Sequence, residues 1–281
     1  MSRQRRERWL KRLLALAAAA SGLILLPIVV MLVYESLPLL APASLWQSLS
    51  SVDWQPQAGD YGLLAMLVGS LLVSLLALAL AAPLGILFAV WLNLYLPRSA
   101  GHWLRPLQEL LAGIPSVVYG LWGLLVLVPI INSVAPPGAS LLTAALVLAL
   151  MILPYSGLVT DAALQAPLQR QMPAARALAL SRWGTFCRVL WPQTRVAILG
   201  GIVLQFGRAL GETLAVVMVV GNVVQLPASL FDPVRTLTGN IALEMGYATA
   251  EHQSALFFSG LLLLMLTLVL MLAVRRRGTL A

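Results

Sequence analysis

Five long stretches with few charged residues alternate with short charged segments along this chain. They cover residues 13–34, 61–97, 110–160, 196–224 and 255–274. Because a transmembrane helix needs about 20 apolar residues, four runs predict one span each and the longest, 110–160, predicts two. The apolar character is continuous within each run, whereas the strands of a membrane barrel alternate apolar and polar positions. The pattern therefore predicts an all-α, polytopic membrane protein with six transmembrane helices.

Proline and glycine predict where these runs bend or turn. Pro83 and Gly85 predict a kink in the second span, because residues 61–97 are too few for two spans and a turn. The turn between the third and fourth spans falls in "INSVAPPGAS", residues 131–140, which is rich in turn-forming residues. Pro115 predicts a break or kink in the third span, because its ring removes a helical hydrogen bond.

Composition agrees with a membrane protein and excludes several other classes. Of 281 residues, 60% are hydrophobic and 10% are charged, against roughly a quarter charged in soluble domains. The first run is longer than the apolar core of a signal peptide, which predicts a retained span. The single cysteine, Cys187, excludes a disulfide within the chain. The single lysine, Lys11, follows no glycine-rich loop, so the sequence predicts no ATP site and no cofactor of its own.

Basic residues predict the orientation of the spans, because short loops rich in arginine and lysine stay cytoplasmic. Sixteen of the 18 basic residues fall on one side of the six-span arrangement, at Arg3, Arg5, Arg6, Arg8, Lys11, Arg12, Arg98, Arg105, Arg170, Arg176, Arg182, Arg188, Arg195, Arg275, Arg276 and Arg277. Arg208 falls inside the membrane and Arg235 outside. Both termini are therefore predicted to be cytoplasmic, and the formal charge of +8 follows from topology rather than from a nucleic-acid partner.

Residues 161–195 form the longest predicted cytoplasmic segment between spans. Pro167, Pro173 and Pro192 divide it and leave room for two short helices, "AARALAL" and "RWGTFCRVL". In the second of these, apolar side chains recur at helical spacing opposite two arginines. This spacing favours an interfacial helix pair that meets lipid headgroups; the alternative is a docking surface for a soluble partner.

The stretch "GRALGETLAVVMVVGN", residues 207–222, places Arg208 and Glu212 inside an apolar run. Each charge at the centre of a bilayer costs on the order of 3 kcal/mol. One interpretation is a structural ion pair, because residues i and i+4 share a helical face. Gly207, Gly211 and Ala215 form a small-residue ridge beside the pair, a pattern used for close helix packing.

The other interpretation of the pair is a path or gate for an anion. The guanidinium of Arg208 is always charged, and its planar fork matches the oxygens of phosphate. Glu212 would neutralise Arg208 when no anion is present and release it when one arrives. His102 and His252 are predicted on opposite sides of the membrane, so they do not form a metal or catalytic pair.

Three motifs resemble one family of transport proteins. "PAARALALSRWGTFCRVLWP", residues 173–192, resembles the cytoplasmic loop signature of ABC importer permeases, in which Ala174, Ala175 and Pro192 match. Pro173 stands where that signature has glutamate, and Ala179 stands where it has glycine. "GIPSVVYGLWGL", residues 113–124, and residues 207–222 resemble the PstC-type permeases of the phosphate ABC importer. Residues 61–86 fit the second span of that family, and the resemblance covers residues 60–275.

The resemblance implies a type I importer permease with MetI-like architecture, in a bacterial inner membrane. The implied complex has a second permease subunit (PstA type), an ATPase dimer (PstB type) that binds ATP and Mg, and a periplasmic phosphate-binding protein (PstS type). The residues implied to dock on the ATPase are Ala174, Ala175, Ala179, Arg182, Trp183 and Pro192. The implied divisions are a basic N-terminus (1–12), a first span with its outer loop (13–60), a permease core (61–274) and a basic C-terminus (275–281).

Two other functional classes remain open at this point. A stand-alone secondary transporter or channel for an anion would often show paired halves with broken helices, and the sequence contains no convincing internal repeat. An intramembrane enzyme would need a convergent acid, base or metal set, which Arg208 and Glu212 do not supply. An ATPase that co-purifies with the chain would favour the importer over both.

Overall fold

The computed structural model describes residues 3–278, and helices account for most of them. The helices are α1 (Arg3–Ser36), α2 (Pro42–Ser50), α3 (Leu64–Leu94), α4 (Arg98–Gly113), α5 (Ser116–Trp122), α6 (Val128–Asn132), α7 (Leu141–Ala177), α8 (Arg182–Thr185), α9 (Trp191–Gly211), α10 (Leu214–Val219), α11 (Leu237–Glu244) and α12 (Ala250–Gly278). Two short strands, β1 (Trp54–Gln55) and β2 (Asp60–Tyr61), pair antiparallel in the loop after α2. The outermost residues of the two predicted basic termini, 1–2 and 279–281, lie outside the described residues.

Six membrane crossings are consistent with this architecture. Five helical segments are long and apolar enough to span a bilayer: α1 with the turn that follows it, α3, α7, the continuous segment Arg182–Gly211, and α12. A sixth crossing is formed by the bent pair Gly101–Gly113 and Ser116–Asn132, counted as one span; its second helix contains a π-helical turn between α5 and α6. The six-span, all-helical prediction is therefore confirmed.

Proline breaks the third span at the predicted position. Ile114 and Pro115 adopt extended backbone conformations between α4 and α5, and the helices on either side are bent by 85°. Proline disfavours helical geometry in the residue before it, which explains why α4 ends there. The third crossing therefore consists of two helices that meet at a steep angle at Pro115.

The segment predicted as a loop over residues 161–195 is mostly helical. Pro167 and Pro173 lie inside α7, which continues to Ala177, because a proline in a membrane helix removes one donor and leaves the rest of the ladder intact. The first predicted short helix is the end of α7. The second is the start of a helix that runs from Arg182 through a π-helical turn to Gly211. The predicted fifth span, 196–224, is thus wrong at both ends.

The most extensive helix packing in the described structure occurs between α3 and α7. A Cβ added to Gly85 would lie 2.6 Å from the Cβ of Ser156 and 2.9 Å from the backbone nitrogen of Gly157. Small residues allow the two backbones to approach closely and to form van der Waals contacts. Such contacts stabilise helix pairs in lipid, where the hydrophobic effect does not drive helices together. The fully buried side chains of this core are Ala77, Ala81, Ala144, Leu148 and Ile152, among others. Both ends of the bundle are positioned by this helix pair.

The chain crosses the bundle in alternating directions, which gives the molecule two distinct ends. We call the end where α3 and α7 finish the arginine-rich end, because Arg105, Arg170, Arg176 and Arg182 lie on the elements there. We call the opposite end, where α3 begins and α11 lies, the Glu244 end. Each predicted short basic loop maps to the arginine-rich end, as alternating spans require.

A buried polar cluster organises the Glu244 end. The carboxylate of Glu244 accepts hydrogen bonds from Arg235 Nη1 at 2.6 Å and from the indole nitrogen of Trp54 at 2.8 Å, and it contacts His252 Nε2 at 2.9 Å. Arg235 also donates to Asn240 Oδ1 at 3.1 Å. Glu244 is only 7% exposed, so its charge is balanced by these partners rather than by solvent. The cluster joins the β-hairpin to α11 and α12.

Candidate functional site

Arg208 lies in the last turn of α9 and carries an unpaired charge. Its side chain is exposed, and no described residue forms a hydrogen bond or ion pair with its guanidinium. The guanidinium carbon instead lies 4.4 Å from the ring centroid of Tyr155, on α7. Such a contact is a cation–π interaction, in which the electron-rich ring face attracts the charge. All five N–H donors of the guanidinium therefore remain free of protein acceptors among residues 3–278.

Glu212 does not pair with Arg208. Helix α9 ends at Gly211, and Glu212 adopts an extended backbone with φ −71° and ψ 126°, so the two residues no longer share a helical face. The carboxylate of Glu212 accepts a hydrogen bond from the backbone nitrogen of Ala215 at 3.3 Å, as a capping residue does at a helix start. The predicted i, i+4 ion pair is thus wrong, because the helix stops between its partners.

The predicted small-residue ridge is interrupted by the same helix end. A Cβ added to Gly207 or Gly211 would meet no atom of residues 3–278 within 4 Å. Ala215 is fully buried and packs against α5, where a Cβ on Gly120 would lie 2.7 Å from its Cα. Ala215 therefore packs inside the chain, whereas Gly207 and Gly211 line a face of α9 that the described residues leave open.

Two tyrosines hold the end of α4 beside Arg208. Tyr155 donates its hydroxyl to the carbonyl of Ala112 at 2.5 Å, and Tyr119 donates to the carbonyl of Leu111 at 2.9 Å. These carbonyls belong to the last turn of α4, where helix geometry leaves acceptors to be satisfied by other groups; the carbonyl of Leu111 also accepts from the backbone nitrogen of Ile114 at 3.3 Å. Sequence reasoning did not identify either tyrosine, because each lies in an uncharged run without a periodic signal.

A polar cluster at the arginine-rich end fixes α4 against α3 and α7. Asp161 Oδ2 accepts from Arg105 Nε at 3.0 Å, and Asp161 Oδ1 accepts from Asn93 Nδ2 at 2.5 Å. Gln108 donates to the carbonyl of Pro154 at 3.0 Å. Asp161 is the first charge after the longest uncharged run, and that isolation was the signal available in the sequence. The cluster makes α4 and the neighbouring half of α7 one connected unit.

The docking residues selected from the sequence lie around a short turn between α7 and α8. Ala174, Ala179, Arg182, Trp183 and Pro192 are exposed. Ala175 is only 3% exposed and packs within the chain. The guanidinium of Arg182 lies 5.5 Å from the ring centroid of Tyr95, at the end of α3. We call residues 174–183 the docking turn; its exposed surface consists of Ala174, Leu178, Ala179, Arg182 and Trp183, among others.

Ala179 has a positive φ of 52°, in the left-handed region that costs a non-glycine residue about 1–2 kcal/mol. This is the position where the ABC importer signature has glycine. We expect Ala179→Gly to stabilise the protein by about 1 kcal/mol, because glycine adopts this conformation without a Cβ clash. The measurement is thermal unfolding in detergent, with Ala162→Gly as the control. That control lies inside α7 at an exposed position and should lower the melting temperature, since glycine weakens helix interiors.

Comparison with known proteins identifies the class of this fold. Residues 81–277 match the family described as "Binding-protein-dependent transport system inner membrane component". The chain belongs to this family. This permease is 36% identical to the phosphate transport system permease protein PstC of Mesorhizobium japonicum, over 83% of this chain and 80% of that protein. It is 40% identical to the probable ABC transporter permease protein YqgH of Bacillus subtilis, over 81% and 75%.

Solved transporters share the fold of this permease. A chain of a bacterial alginate ABC transporter, crystallised with an alginate-bound periplasmic protein, superposes with a TM-score of 0.68 at 15% identity, over 96% of this chain and 93% of that one. A chain of an amino acid ABC transporter gives 0.55 at 18% identity, over 77% and 92%. The predicted importer-permease fold is confirmed. As a multi-pass inner membrane component, the permease carries out transport and is not the ATPase of its system.

Proposed function

We propose that this permease carries inorganic phosphate across the inner membrane, as one of two permease subunits in an ATP-driven importer. The observation that supports this most strongly is its 34–36% identity to phosphate permeases named PstC from several bacteria, over about four-fifths of its length. The expected partners are a PstA-type second permease, a PstB-type ATPase dimer and a PstS-type phosphate-binding protein, with membrane lipid around the bundle.

Arg208 is the residue that we propose meets the anion. Its guanidinium has no acceptor among the described residues and retains its full charge. A phosphate oxygen pair fits the guanidinium fork in a bidentate arrangement, which a lysine ammonium does not offer. Because no described residue accepts from these donors, an arriving anion displaces water rather than a protein acceptor from the described chain. Release on the far side requires only that this single attraction be broken, as a transport path needs.

Glu212 belongs to the same proposal in a different role. Its carboxylate caps α10 instead of neutralising Arg208, and its backbone carbonyl accepts from Thr238 Oγ1 at 3.1 Å. Glu212 therefore connects the break after α9 to α11 and the Glu244 end. We propose that Glu212 maintains the helix break that leaves Arg208 exposed. We also propose that the negative charge of Glu212 limits how tightly phosphate binds.

The open surfaces of the permease fit the proposed complex. The arginine-rich end is assigned to the cytoplasm, with both termini, because positive loops are retained there. The docking turn then faces the ATPase, with Ala174 and Ala179 presenting small exposed side chains. Gly207 and Gly211, whose Cβ positions face open space, lie on the surface assigned to the second permease subunit. Phosphate would pass between the two subunits beside Arg208.

Uptake in proteoliposomes tests this function. The permease is reconstituted with its partner permease and ATPase, and radiolabelled phosphate is supplied with the binding protein. We expect uptake that requires ATP, the binding protein and an intact ATPase. Uptake that persists without the ATPase would favour a stand-alone transporter or channel. Transport of sulfate in preference to phosphate would contradict the assignment of the substrate.

A further inference from the structure

We infer that Tyr155 is a positioning residue that holds Arg208 ready for the transported anion. This inference rests on the proposed function of Arg208 in phosphate transport. The inference is based on a contact between two helices: the guanidinium carbon of Arg208, on α9, lies 4.4 Å from the ring centroid of Tyr155, on α7. No other described side chain contacts that guanidinium by a hydrogen bond or ion pair.

The ring of Tyr155 holds the guanidinium of Arg208 without neutralising its charge or occupying its N–H donors. A carboxylate partner would neutralise the charge and occupy the donors in the plane of the fork. An aromatic face instead attracts the cation from above that plane. The N–H donors at the edge of the guanidinium then stay available for phosphate oxygens. The contact thus fixes the position of the Arg208 guanidinium and leaves its charge unneutralised. A transient anion site requires both properties.

Tyr155 is itself fixed by neighbouring structure. Its hydroxyl donates to the carbonyl of Ala112 at the end of α4, immediately before the 85° bend at Pro115. Helix α4 is in turn held to α7 by Gln108, which donates to the carbonyl of Pro154, and by the ion pair between Arg105 and Asp161. The ring therefore lies on a rigid support, and its position determines where the guanidinium rests.

This arrangement also predicts which part of the tyrosine matters. The ring face carries the contact with Arg208, whereas the hydroxyl only caps α4. Tyr155→Phe keeps the ring and removes the cap, and Tyr155→Leu removes both. Tyr119 supplies a matched control, because its hydroxyl caps the preceding carbonyl of α4 at 2.9 Å but its ring carries no cation in the described structure.

The first experiment compares phosphate uptake by the full reconstituted complex. We expect Tyr155→Leu to lower the maximal uptake rate about fivefold, the loss that removal of a cation–π contact at an exposed arginine predicts. Tyr155→Phe should stay within about twofold of wild type because the ring remains. Tyr119→Leu and Tyr119→Phe should behave alike. Rates are normalised to the amount of assembled complex, and Tyr155→Met serves as a second ring-free variant where Tyr155→Leu assembles poorly.

A second measurement detects the contact without relying on transport. Fluorotyrosine is incorporated at position 155 or 119, and the ¹⁹F resonance is compared with and without Arg208→Gln. We expect the resonance at 155 to shift when the cation is removed and the resonance at 119 to stay unchanged. Addition of inorganic phosphate should move the resonance at 155 in the otherwise wild-type complex and should have no effect after Arg208→Gln.

The outcomes separate this inference from the function on which it rests. Phosphate uptake by the wild-type complex, together with unchanged uptake in Tyr155→Leu, would overturn the positioning role alone. Equal losses in the Leu variants at 155 and 119 would assign the effect to the α4 cap and would also overturn it. A ¹⁹F resonance at 155 that ignores Arg208→Gln would disprove the contact. A wild-type complex that takes up no phosphate would contradict the proposed function, and the inference with it.

Discussion

Phosphate uptake is expected to fall about a hundredfold or more when Arg208 is replaced with glutamine, a loss typical of removing a charge-assisted, bidentate partner. The glutamine amide still donates hydrogen bonds but attracts no anion by charge. Because Arg208 is exposed and makes no ion pair within the described chain, the complex should assemble at normal levels. The measurement is ATP-dependent uptake of radiolabelled phosphate, normalised to assembled complex.

Arg208→Lys separates charge from geometry at the same position. Lysine keeps the positive charge and can still lie over the ring of Tyr155, but it loses the planar fork that matches two phosphate oxygens. We expect uptake between those of the wild type and Arg208→Gln. Equal uptake by the lysine and wild-type complexes would show that only charge matters at this position.

Glu212→Gln is the matched neutral change at the second charged residue of this stretch. The glutamine oxygen can still accept from the backbone of Ala215, so the cap of α10 and the break after α9 should survive. We expect a smaller loss than for Arg208→Gln, since the charge at 212 does not pair with Arg208 in this structure. Near-normal phosphate uptake by the double variant Arg208→Gln, Glu212→Gln would contradict the role of Arg208 in the path.

The number and order of the spans could be predicted from the sequence because they depend on local composition. Each apolar run exceeds the length that a bilayer requires, and neighbouring structure does not change that requirement. The ends of the helices were harder to predict. Pro167 and Pro173 resemble loop residues, yet α7 continues through both to Ala177. Gly211 is a recognised stop signal, and it was interpreted as part of a packing ridge instead.

The candidate site could be predicted in part for the same physical reason. Arg208 was identifiable because a charge in an apolar run is costly wherever the run folds. Its contact with Tyr155 joins α9 to α7, and no spacing rule connects residues 53 positions apart. The Glu244 cluster shows this limit more strongly: Trp54 reaches Glu244 across 190 positions. Long-range contacts of this kind depend on how the bundle packs, which the hydrophobic pattern does not specify.

Replacing each of three alanines in or near the docking turn with glutamate should give three different results. Together these results test the coupling to the ATPase. Ala174→Glu places a bulky charge on the exposed surface of the docking turn. We expect it to lower uptake at least about tenfold, as disruption of a central contact does, while the permease inserts and the ATPase hydrolyses ATP without coupled transport. ATP hydrolysis and uptake are measured in the same proteoliposomes.

Ala166→Glu and Ala175→Glu provide the controls for that result. Ala166 is exposed on α7, about 12 Å before Ala174 at 1.5 Å per residue, so a charge there should leave coupling intact. Ala175 is 3% exposed, and a buried unpaired carboxylate destabilises the fold by several kcal/mol, so Ala175→Glu should reduce the amount of permease rather than uncouple it. Full coupling in Ala174→Glu would contradict docking through this turn, because a charged side chain inside a close-fitting cleft must weaken the contact. The docking turn would then be a membrane-surface element only.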